Sequence, residues 1–299
     1  MQVELQNVSY SYAASADRLA LEDVSVRLHT GEAVLVLGHS GAGKSTLLHL
    51  MAGLLKPSSG QIVFDGGARD GVLTSLALQQ PERQLFCGSV FDEVAFGSRQ
   101  TNRSRRMPLG RRPRQDSIRQ EVESALLAVG LDPQAYAPRH PQQLSAGEKR
   151  RLAIACCLVM KPCFLLLDEP LAGLDAPGRR ALLQMLGSLR SNGAGVVVTS
   201  HSIEPLLPIV DRILLFREGR MVGDGNPCDI LADLSLLSAC GVEPPGIASV
   251  ARCLQERGWP ALEWSTPDRL ADSILGHLSH PDGHEVSLEI ACRLTRDPN

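Results

Sequence analysis

The residues most able to do chemistry form a glycine-rich run that ends in a lysine and two hydroxyl side chains. Residues 38–46 read Gly-His-Ser-Gly-Ala-Gly-Lys-Ser-Thr, which fits the pattern Gly-x-x-x-x-Gly-Lys-[Ser/Thr]. Glycines let backbone N–H groups close around phosphate oxygens, while Lys44 can reach the β- and γ-phosphates and the Ser45 hydroxyl can ligate Mg²⁺. The run therefore predicts a site for a nucleoside triphosphate.

The residues on both sides of this run predict the local structure that such a site needs. Residues 33–37 are apolar and predict a buried strand, and residues 47–52 predict a helix whose N-terminus adds positive potential at the phosphates. We therefore predict nucleotide-binding roles for Gly38, His39, Ser40, Gly41, Ala42, Gly43, Lys44, Ser45 and Thr46.

Two adjacent carboxylates follow a second apolar strand, at residues 164–167. Asp168 can hold Mg²⁺ through water, and Glu169 can orient the water that attacks a γ-phosphate or accept its proton. The pair therefore predicts that the triphosphate is hydrolysed as well as bound.

Four further positions place polar groups beside predicted strands or helices. Ser145 and Gly147 lie in a Leu-Ser-Ala-Gly-Glu segment that opens a helix, where a hydroxyl and a backbone N–H can donate to phosphate. Gln79 follows a short strand at 75–78, and His201 directly follows a strand at 196–200. A lone histidine is equally explained as a surface group, so the order of the whole set carries the prediction.

This set, in this order, resembles the ATP-binding cassette (ABC) ATPases over about residues 1–225. The resemblance implies an α/β P-loop NTPase fold, ATP and Mg²⁺ as cofactors, and transport-coupled ATP hydrolysis. The implied segments are Walker A at 38–46, the Q-loop at Gln79, the signature at 144–148, Walker B at Asp168 and Glu169, the D-loop at Asp175 and the switch histidine at His201. The implied catalytic residues are Glu169, His201 and Gln79, and the implied metal-binding residues are Ser45, Gln79 and Asp168.

An aromatic residue near the N-terminus completes the implied site. Tyr12 matches the family's aromatic residue that stacks on adenine, and Tyr10 is its nearest competitor. Packing within a strand would also explain a tyrosine here. Its place ahead of the other motifs favours stacking by Tyr12.

The signature departs from the usual Leu-Ser-Gly-Gly-Gln of the family at Ala146 and Glu148. Alanine adds a methyl group, and glutamate places a carboxylate near a helix start that binds phosphate. We expect Glu148 to weaken contact with the γ-phosphate slightly unless it points away or pairs with Lys149 or Arg151.

Residues 79–86 and 89–97 resemble the Q-loop region of energy-coupling factor (ECF) and cobalt-type importer ATPases. In that family this region meets the coupling helices of a transmembrane protein, and we expect Gln84 to contribute to that surface. The resemblance implies uptake of a vitamin or a transition metal ion, with a separate membrane subunit that binds the substrate. The alternatives are an exporter ATPase, which this segment disfavours, and a soluble non-transport ABC ATPase, which would usually carry a coiled-coil insertion or a second cassette.

The family also implies a second ATPase subunit, which is either a copy of this chain or a similar protein. ATP would then lie between the Walker A run of one subunit and the signature of the other, which contributes Ser145 and Gly147. Residues 226–299 are the implied pairing extension. Because every ATP motif lies upstream of it, we expect its deletion to weaken pairing without destroying the nucleotide fold.

Composition limits the remaining classes of function. The 299-residue chain has a formal net charge of −3, which gives no sign of a nucleic-acid surface. Its apolar runs fall short of the ~20 residues that span a bilayer, and its first residues lack a signal-peptide pattern. We therefore expect a peripheral protein on the cytoplasmic face of the cell membrane. The eight cysteines lack paired metal-binding spacing and are expected to be buried, reduced thiols.

The pattern of apolar residues predicts an α/β domain over residues 1–225 with three parts. Residues 1–32 predict an antiparallel β-subdomain, strands at 33–37, 163–167, 195–200 and 212–217 predict a parallel core sheet, and residues 88–160 predict a helical subdomain. Residues 99–119 carry eight arginines against one acid, Asp116. They predict either a solvated, mobile insertion or a surface for anionic lipid or acidic residues of a membrane partner.

Overall fold

The computed structural model describes residues 1–12, 19–66, 72–104, 115–201, 203–259 and 267–278. Its strands are β1 (Gln2–Ser11), β2 (Leu19–His29), β3 (Ala33–Leu37), β4 (Ser59–Asp65), β5 (Thr74–Ala77), β6 (Phe164–Asp168), β7 (Gly195–Thr199), β8 (Arg212–Arg217) and β9 (Arg220–Gly225). Its helices are α1 (Lys44–Met51), α2 (Val90–Ser104), α3 (Gln115–Ala128), α4 (Pro133–Tyr136), α5 (Ala146–Leu158), α6 (Ala176–Ser191), α7 (Pro227–Ala232), α8 (Leu234–Ala239), α9 (Gly246–Glu256) and α10 (Pro267–Leu278), with 3₁₀ turns at Pro81–Arg83 and Pro141–Gln143.

Within the described ranges, the core sheet has six strands in the order β5-β6-β7-β3-β8-β9. The first five run parallel, and β9 runs antiparallel to β8. Every residue of β3, β6 and β7 is buried, as expected for parallel strands that are covered on both faces. Parallel strands end at one edge of the sheet, so the polar residues that follow β3, β6 and β7 meet there.

The predicted fold is confirmed: a parallel core sheet, an antiparallel N-terminal sheet and a helical subdomain are all present. In the N-terminal sheet β1 pairs with β2 on one side and with β4 on the other. β4 is missing from the predicted strands because none of its residues is fully buried, so its sequence alternates only weakly. β4 is a strand because it pairs with the free edge of β1.

Buried side chains of α2, α3 and α5 hold the helical subdomain together, among them Val94, Leu126 and Leu152. Most of the predicted arginine-rich insertion, residues 105–114, lies outside the described residues. At its described ends, Arg99 lies 3.6 Å from a carboxylate oxygen of Asp92, and Arg119 pairs with Glu123 at 2.9 Å. Both interpretations of the insertion stay predictions.

Helices α7, α8 and α9 share the main hydrophobic core. Leu237 and Cys240 are completely buried in the same cluster as residues of β3 and β6. The backbone N–H of Gly246 donates to Glu204 at 3.1 Å, and a Cβ added at Gly241 would lie 3.1 Å from that of His39. Helices α7, α8 and α9 therefore pack on the nucleotide fold, and their loss would expose its core. We now expect deletion of residues 226–299 to destabilise the nucleotide fold, in contrast to the expectation drawn from the positions of the motifs alone. A domain boundary at residue 225 stays a prediction.

Seven cysteines lie within the described residues, and all are free thiols. Cys157 and Cys240 are buried as predicted, but Cys253 on α9 is exposed, so the prediction of buried thiols is wrong there. Burial raises the pKa of Cys157 to about 11, which keeps this thiol protonated and inert. Across the described part of the chain, no helix is both long and apolar enough to cross a membrane.

Candidate functional site

The loop between β3 and α1 needs glycine where other backbone approaches it. Gly38 has a φ of 146°, and an added Cβ would lie 2.3 Å from the carbonyl oxygen of Phe216. Gly43 has a φ of 102°, and an added Cβ would lie 2.5 Å from the carbonyl oxygen of Ala20. Both positions combine a left-handed backbone with no room for a side chain, so the loop can curl tightly before α1.

Lys44 is the first residue of α1, and its ammonium group turns back into the loop. Its Nζ donates to the carbonyl oxygens of Gly38 at 2.7 Å and His39 at 3.0 Å. Burial lowers the pKa of Lys44, while the nearby charges of Glu169 and Asp168 act in the opposite direction. The lysine is thus held where a phosphate oxygen, a stronger acceptor than a carbonyl, can replace those contacts.

Thr199, the last residue of β7, fixes the two adjacent carboxylates. Its hydroxyl donates to Asp168 Oδ1 at 2.6 Å and accepts from the backbone N–H of Glu169 at 3.1 Å. Both acids are buried, and Glu169 has a φ of 51°, which turns the chain sharply after β6. Thr199 is not among the site residues predicted from the sequence, although a hydroxyl at the end of the neighbouring parallel strand is a signal that could have indicated it.

Of the two carboxylate oxygens of Glu169, one accepts a hydrogen bond and the other, called open here, accepts none from the described residues. Oε2 accepts from the backbone N–H of His201 at 3.2 Å, whereas Oε1 lies 3.3 Å from His201 Nε2. Oε1 is buried and accepts no hydrogen bond from the residues that the structure describes. Burial raises the pKa of Glu169, and the charges of His201 and Lys44 oppose that rise. An open oxygen on a carboxylate of raised pKa suits a group that takes a proton from water.

These groups meet in one cavity of about 270 Å³. Its lining residues are Tyr12, Ala20, Ser40, Gly41, Gly43, Lys44, Ser45, Thr46, Gln79, Asp168, Glu169 and His201. Ala20 is the member that the sequence analysis misses. Ser45, Gln79 and Asp168 supply hydroxyl, amide and carboxylate oxygens, which are the ligands that Mg²⁺ prefers, so the residues fit the expected metal.

Ser145 and Gly147 are not among the described residues that line this cavity. Ser145 instead caps α5: its Oγ accepts from the backbone N–H of Glu148 at 3.3 Å. The Glu148 carboxylate accepts from the N–H of Ser145 and from the hydroxyl of Tyr136, each at 2.7 Å. The Tyr136 bond is the main cause that lowers the pKa of Glu148.

The partners of Glu148 differ from the two basic residues considered from the sequence, and its effect on contact with the γ-phosphate stays a prediction. Its hydrogen bonds go to Tyr136 and Ser145, and neither Lys149 nor Arg151 is its main partner. The carboxylate is folded back over the start of its own helix in a capping box, which satisfies a backbone N–H that would otherwise be open.

Residues 21–172 match the family model described as ABC transporter. The chain belongs to this family. It is similar to the energy-coupling factor transporter ATP-binding protein EcfA2 of Symbiobacterium thermophilum, with 39% identity over 80% of this chain and 83% of the relative. It is also similar to the cobalt import ATP-binding protein CbiO of Rhodobacter capsulatus, with 38% identity over 81% and 85% of the two chains.

A solved structure agrees with these relatives. The structure of cbiO1 from Clostridium perfringens, described as part of the ABC transporter complex cbiONQ, superposes with a TM-score of 0.63. It shares 30% identity and covers 84% of this chain and 98% of its own. The chain is therefore an ABC ATPase that binds and hydrolyses ATP, as the sequence resemblance implies.

Tyr12 lies at the rim of the ABC ATPase cavity. Its side chain is 41% exposed, and its hydroxyl is 3.1 Å from Thr46 Oγ1 in the phosphate loop. Tyr10 packs edge-on against it with ring centroids 4.9 Å apart, and does not line the cavity. Of the two candidates, Tyr12 is the one that lines the cavity.

Two side chains in the Q-loop region act on the backbone. The Gln84 amide accepts from the N–H of Leu78 and donates to the carbonyl of Leu76, both at 3.0 Å. It therefore supports the end of β5, and it also lines a cavity with Phe86 and Phe96, so its contribution to a surface for a membrane protein stays a prediction. The buried Glu93, which the sequence analysis misses, accepts from the N–H groups of Phe86 at 2.9 Å and Cys87 at 2.6 Å.

Asp175 in the D-loop caps α6, since its Oδ1 accepts from the backbone N–H of Gly178 at 2.9 Å. Within the described residues, it therefore stabilises the start of a helix beside the site and is not part of the cavity lining.

Proposed function

We propose that this ABC ATPase is the ATP-hydrolysing subunit of a membrane importer on the cytoplasmic face of the membrane, for a vitamin or a transition metal ion. The observation that carries the proposal is the cavity in which Lys44 faces Asp168 and Glu169, with one Glu169 oxygen open. The import function is supported by the similarity to EcfA2 and CbiO.

The geometry suits in-line attack of water on the γ-phosphorus. Lys44 and the N-terminus of α1 would hold the β- and γ-phosphate oxygens, while Ser45, Asp168 and Gln79 would hold Mg²⁺. The metal, when bound, neutralises charge on the phosphate oxygens. Glu169 Oε1 would take the proton of the attacking water as the bond from the γ-phosphorus to the bridging oxygen breaks and ADP leaves. His201 would hold the glutamate in place.

We propose that two ATPase subunits enclose each ATP. Ser145 is exposed at the start of α5 and lies outside the cavity that contains Lys44. A hydroxyl at a helix N-terminus suits an anion, so Ser145 and the N–H of Gly147 would bind the γ-phosphate held by the partner. The partner is a second copy of this chain or a similar subunit.

A second cavity, of about 330 Å³, would receive a helix of the membrane partner. Phe86 and Phe96 line it and are 68% and 42% exposed, with their rings edge-on at 5.2 Å. Gln84 joins this lining to β5, and β5 leads to Gln79 in the ATP cavity. Movement of a docked helix would thus displace the end of β5 and, with it, Gln79 in the ATP cavity.

Co-purification tests the membrane partner. The chain is produced in its host, extracted in mild detergent and analysed for membrane proteins that accompany it. Phe86→Asp should lose them while ATP binding is kept, and Leu127→Asp, which changes a similarly exposed leucine on α3, should retain them. Equal retention by both variants would contradict the proposed docking surface.

Uptake by intact cells tests the cargo. Cells that carry the wild-type chain should accumulate one member of a panel of labelled vitamins and transition metal ions, and cells with Glu169→Gln should not. Normal accumulation of every compound in the Glu169→Gln cells would contradict the import function.

A further inference from the structure

One arginine of α5 binds backbone carbonyls from two separate loops of the site. Arg150 Nη1 donates to the carbonyl oxygen of Glu169 at 2.9 Å and also to that of Ala172. Nη2 donates to the carbonyl oxygen of Gln79 at 2.6 Å. Burial lowers the pKa of Arg150, and the charge of Glu169 is the first cause that opposes this effect.

The three carbonyls belong to two segments, each of which contributes a residue to the lining of the ATP cavity. Gln79 follows β5 and lines the ATP cavity, Glu169 follows β6, and Ala172 lies in the turn before α6. A guanidinium is planar and presents five N–H donors in a fixed fork, so it can serve all three at once. An ammonium group is a compact point charge and cannot match this geometry.

The same helix also carries the signature. Ser145 caps the start of α5 and Arg150 lies little more than one turn further along. The next residue, Arg151, donates to the carbonyl of Gly130 in the turn after α3, away from the site. The contact with the catalytic loops is therefore specific to position 150.

We propose that Arg150 is a positioning residue that sets the place of Glu169 and Gln79 according to the position of α5. This inference rests on the proposed function. Ser145 would contact the ATP that the partner subunit binds, while Arg150 holds the loops that line the ATP site of its own subunit. Docking of Ser145 on one ATP then adjusts the catalytic groups around the other ATP. The two nucleotide sites of a pair would be coupled through α5.

Steady-state hydrolysis by the full-length chain tests this role with Arg150→Met, Arg150→Lys and a control, Lys149→Met, which removes a cation from the same helix. Arg150→Met should lower kcat about tenfold or more, the size of effect that small misplacement of a catalytic group produces. Its Kd for MgATP should stay within about twofold, since Arg150 touches backbone and not nucleotide. The kcat of Arg150→Lys should lie between those of the wild type and Arg150→Met, and the kcat of Lys149→Met should match that of the wild type.

The split between turnover and binding supplies a readout that a purely structural role would not give. Arg150 holds the backbone carbonyls of Glu169, Ala172 and Gln79. Its loss should therefore lower kcat and leave both the Kd for MgATP and the thermal stability close to those of the wild type. Partial recovery of kcat in Arg150→Lys would show that donors at this position, and not the bulk of the side chain, are needed.

Two results would overturn the inference: a kcat in Arg150→Met equal to that of the wild type, or a loss of kcat accompanied by an equal loss of ATP affinity and thermal stability. Glu169→Gln, measured in parallel, separates failure of the Arg150 role from failure of the proposed hydrolysis mechanism. An inactive Glu169→Gln beside a normal Arg150→Met refutes only the role of Arg150. Normal hydrolysis by Glu169→Gln refutes the proposed mechanism of hydrolysis and the inference together.

Discussion

His201 contacts Glu169 through two different groups: its backbone N–H donates to Oε2 at 3.2 Å, and its ring Nε2 lies 3.3 Å from Oε1. The backbone contact does not depend on the position of the imidazole ring. The ring, by contrast, is exposed. The glutamate is thus held on one side by a backbone N–H, and its other oxygen lies beside an exposed imidazole.

Glu169→Gln should bind ATP normally and lose most of its turnover. The amide keeps the shape of the side chain but cannot accept a proton, so kcat should fall by about 10²-fold or more. Lys44→Ala should instead weaken ATP binding, because it removes the buried cation of the loop. Equilibrium binding and phosphate release measure the two effects. Hydrolysis by Glu169→Gln near the wild-type rate would refute the role of Glu169.

Glu169→Gln should also change how stability depends on pH. Burial raises the pKa of Glu169 above its ordinary 4.5, so the folded chain holds this proton to a higher pH than the unfolded chain. Its contribution to stability is fully present below pH 4.5 and is lost as pH rises through the raised value. At pH 7 the variant should therefore have a higher Tm than the wild type.

That difference in Tm should shrink as the pH is lowered towards 4.5. The exposed Glu243 offers a control, and Glu243→Gln should follow the wild type across the range. A Glu169→Gln protein with an unchanged or lower Tm at pH 7 would show that the buried carboxylate carries no such penalty.

Tyr12→Ala should raise the Kd for ATP. Loss of one stack between a base and an aromatic ring costs on the order of 1–3 kcal/mol in nucleic-acid complexes. Tyr12→Trp should keep the affinity, and Tyr12→Phe isolates the contact of the hydroxyl with Thr46. Titration with a fluorescent ATP analogue measures each variant. An increase in Kd for Tyr10→Ala alone would assign the stack to Tyr10.

Mixing two inactive variants should test whether the chain pairs with itself. Lys44→Ala chains lack a working phosphate loop, and Ser145→Arg chains lack a working signature. A mixed pair would contain one intact composite site, so ATPase activity should return when the membrane partner is present. Absence of activity in mixtures that cross-linking shows to be paired would contradict the shared site. If the two variants do not pair at all, the partner is a different ATPase.

Leu237→Ala should destabilise the whole ATPase, although it lies outside the ATP motifs. Leu237 is completely buried in the main core, where truncation of leucine costs about 2–5 kcal/mol. Leu275→Ala makes the same change on α10 at a side chain that is 59% exposed, and should cost about 0.5 kcal/mol or less. Chemical denaturation measures both. Equal, small effects would mean that α8 unfolds independently.

The parts of this fold that could be predicted are those in which local sequence and tertiary structure agree. Residues 33–37 and 164–167 are apolar throughout and buried, so both the strands and the polar residues that come after these runs could be placed. β9 could not, because half of its residues are exposed and its pairing with β8 defines it.

The site residues that the sequence does not reveal act through backbone atoms or across the fold. Arg150 binds carbonyls, which every residue carries, so no side-chain pattern marks its partners. Tyr136 reaches Glu148 only because the chain between them turns back at Pro141–Gln143. Thr199 and Asp168 are brought side by side by the pairing of β6 with β7.

Two contacts join the C-terminal helices to the nucleotide loops: Gly241 lies against His39, and the backbone N–H of Gly246 donates to Glu204, three residues after His201. Sites joined in this way obey reciprocity: whatever factor ATP adds to the affinity between subunits, pairing must add to the affinity for ATP. A partner that binds α8 and α9 would therefore change the affinity of the phosphate loop for nucleotide, although it does not contact the nucleotide itself.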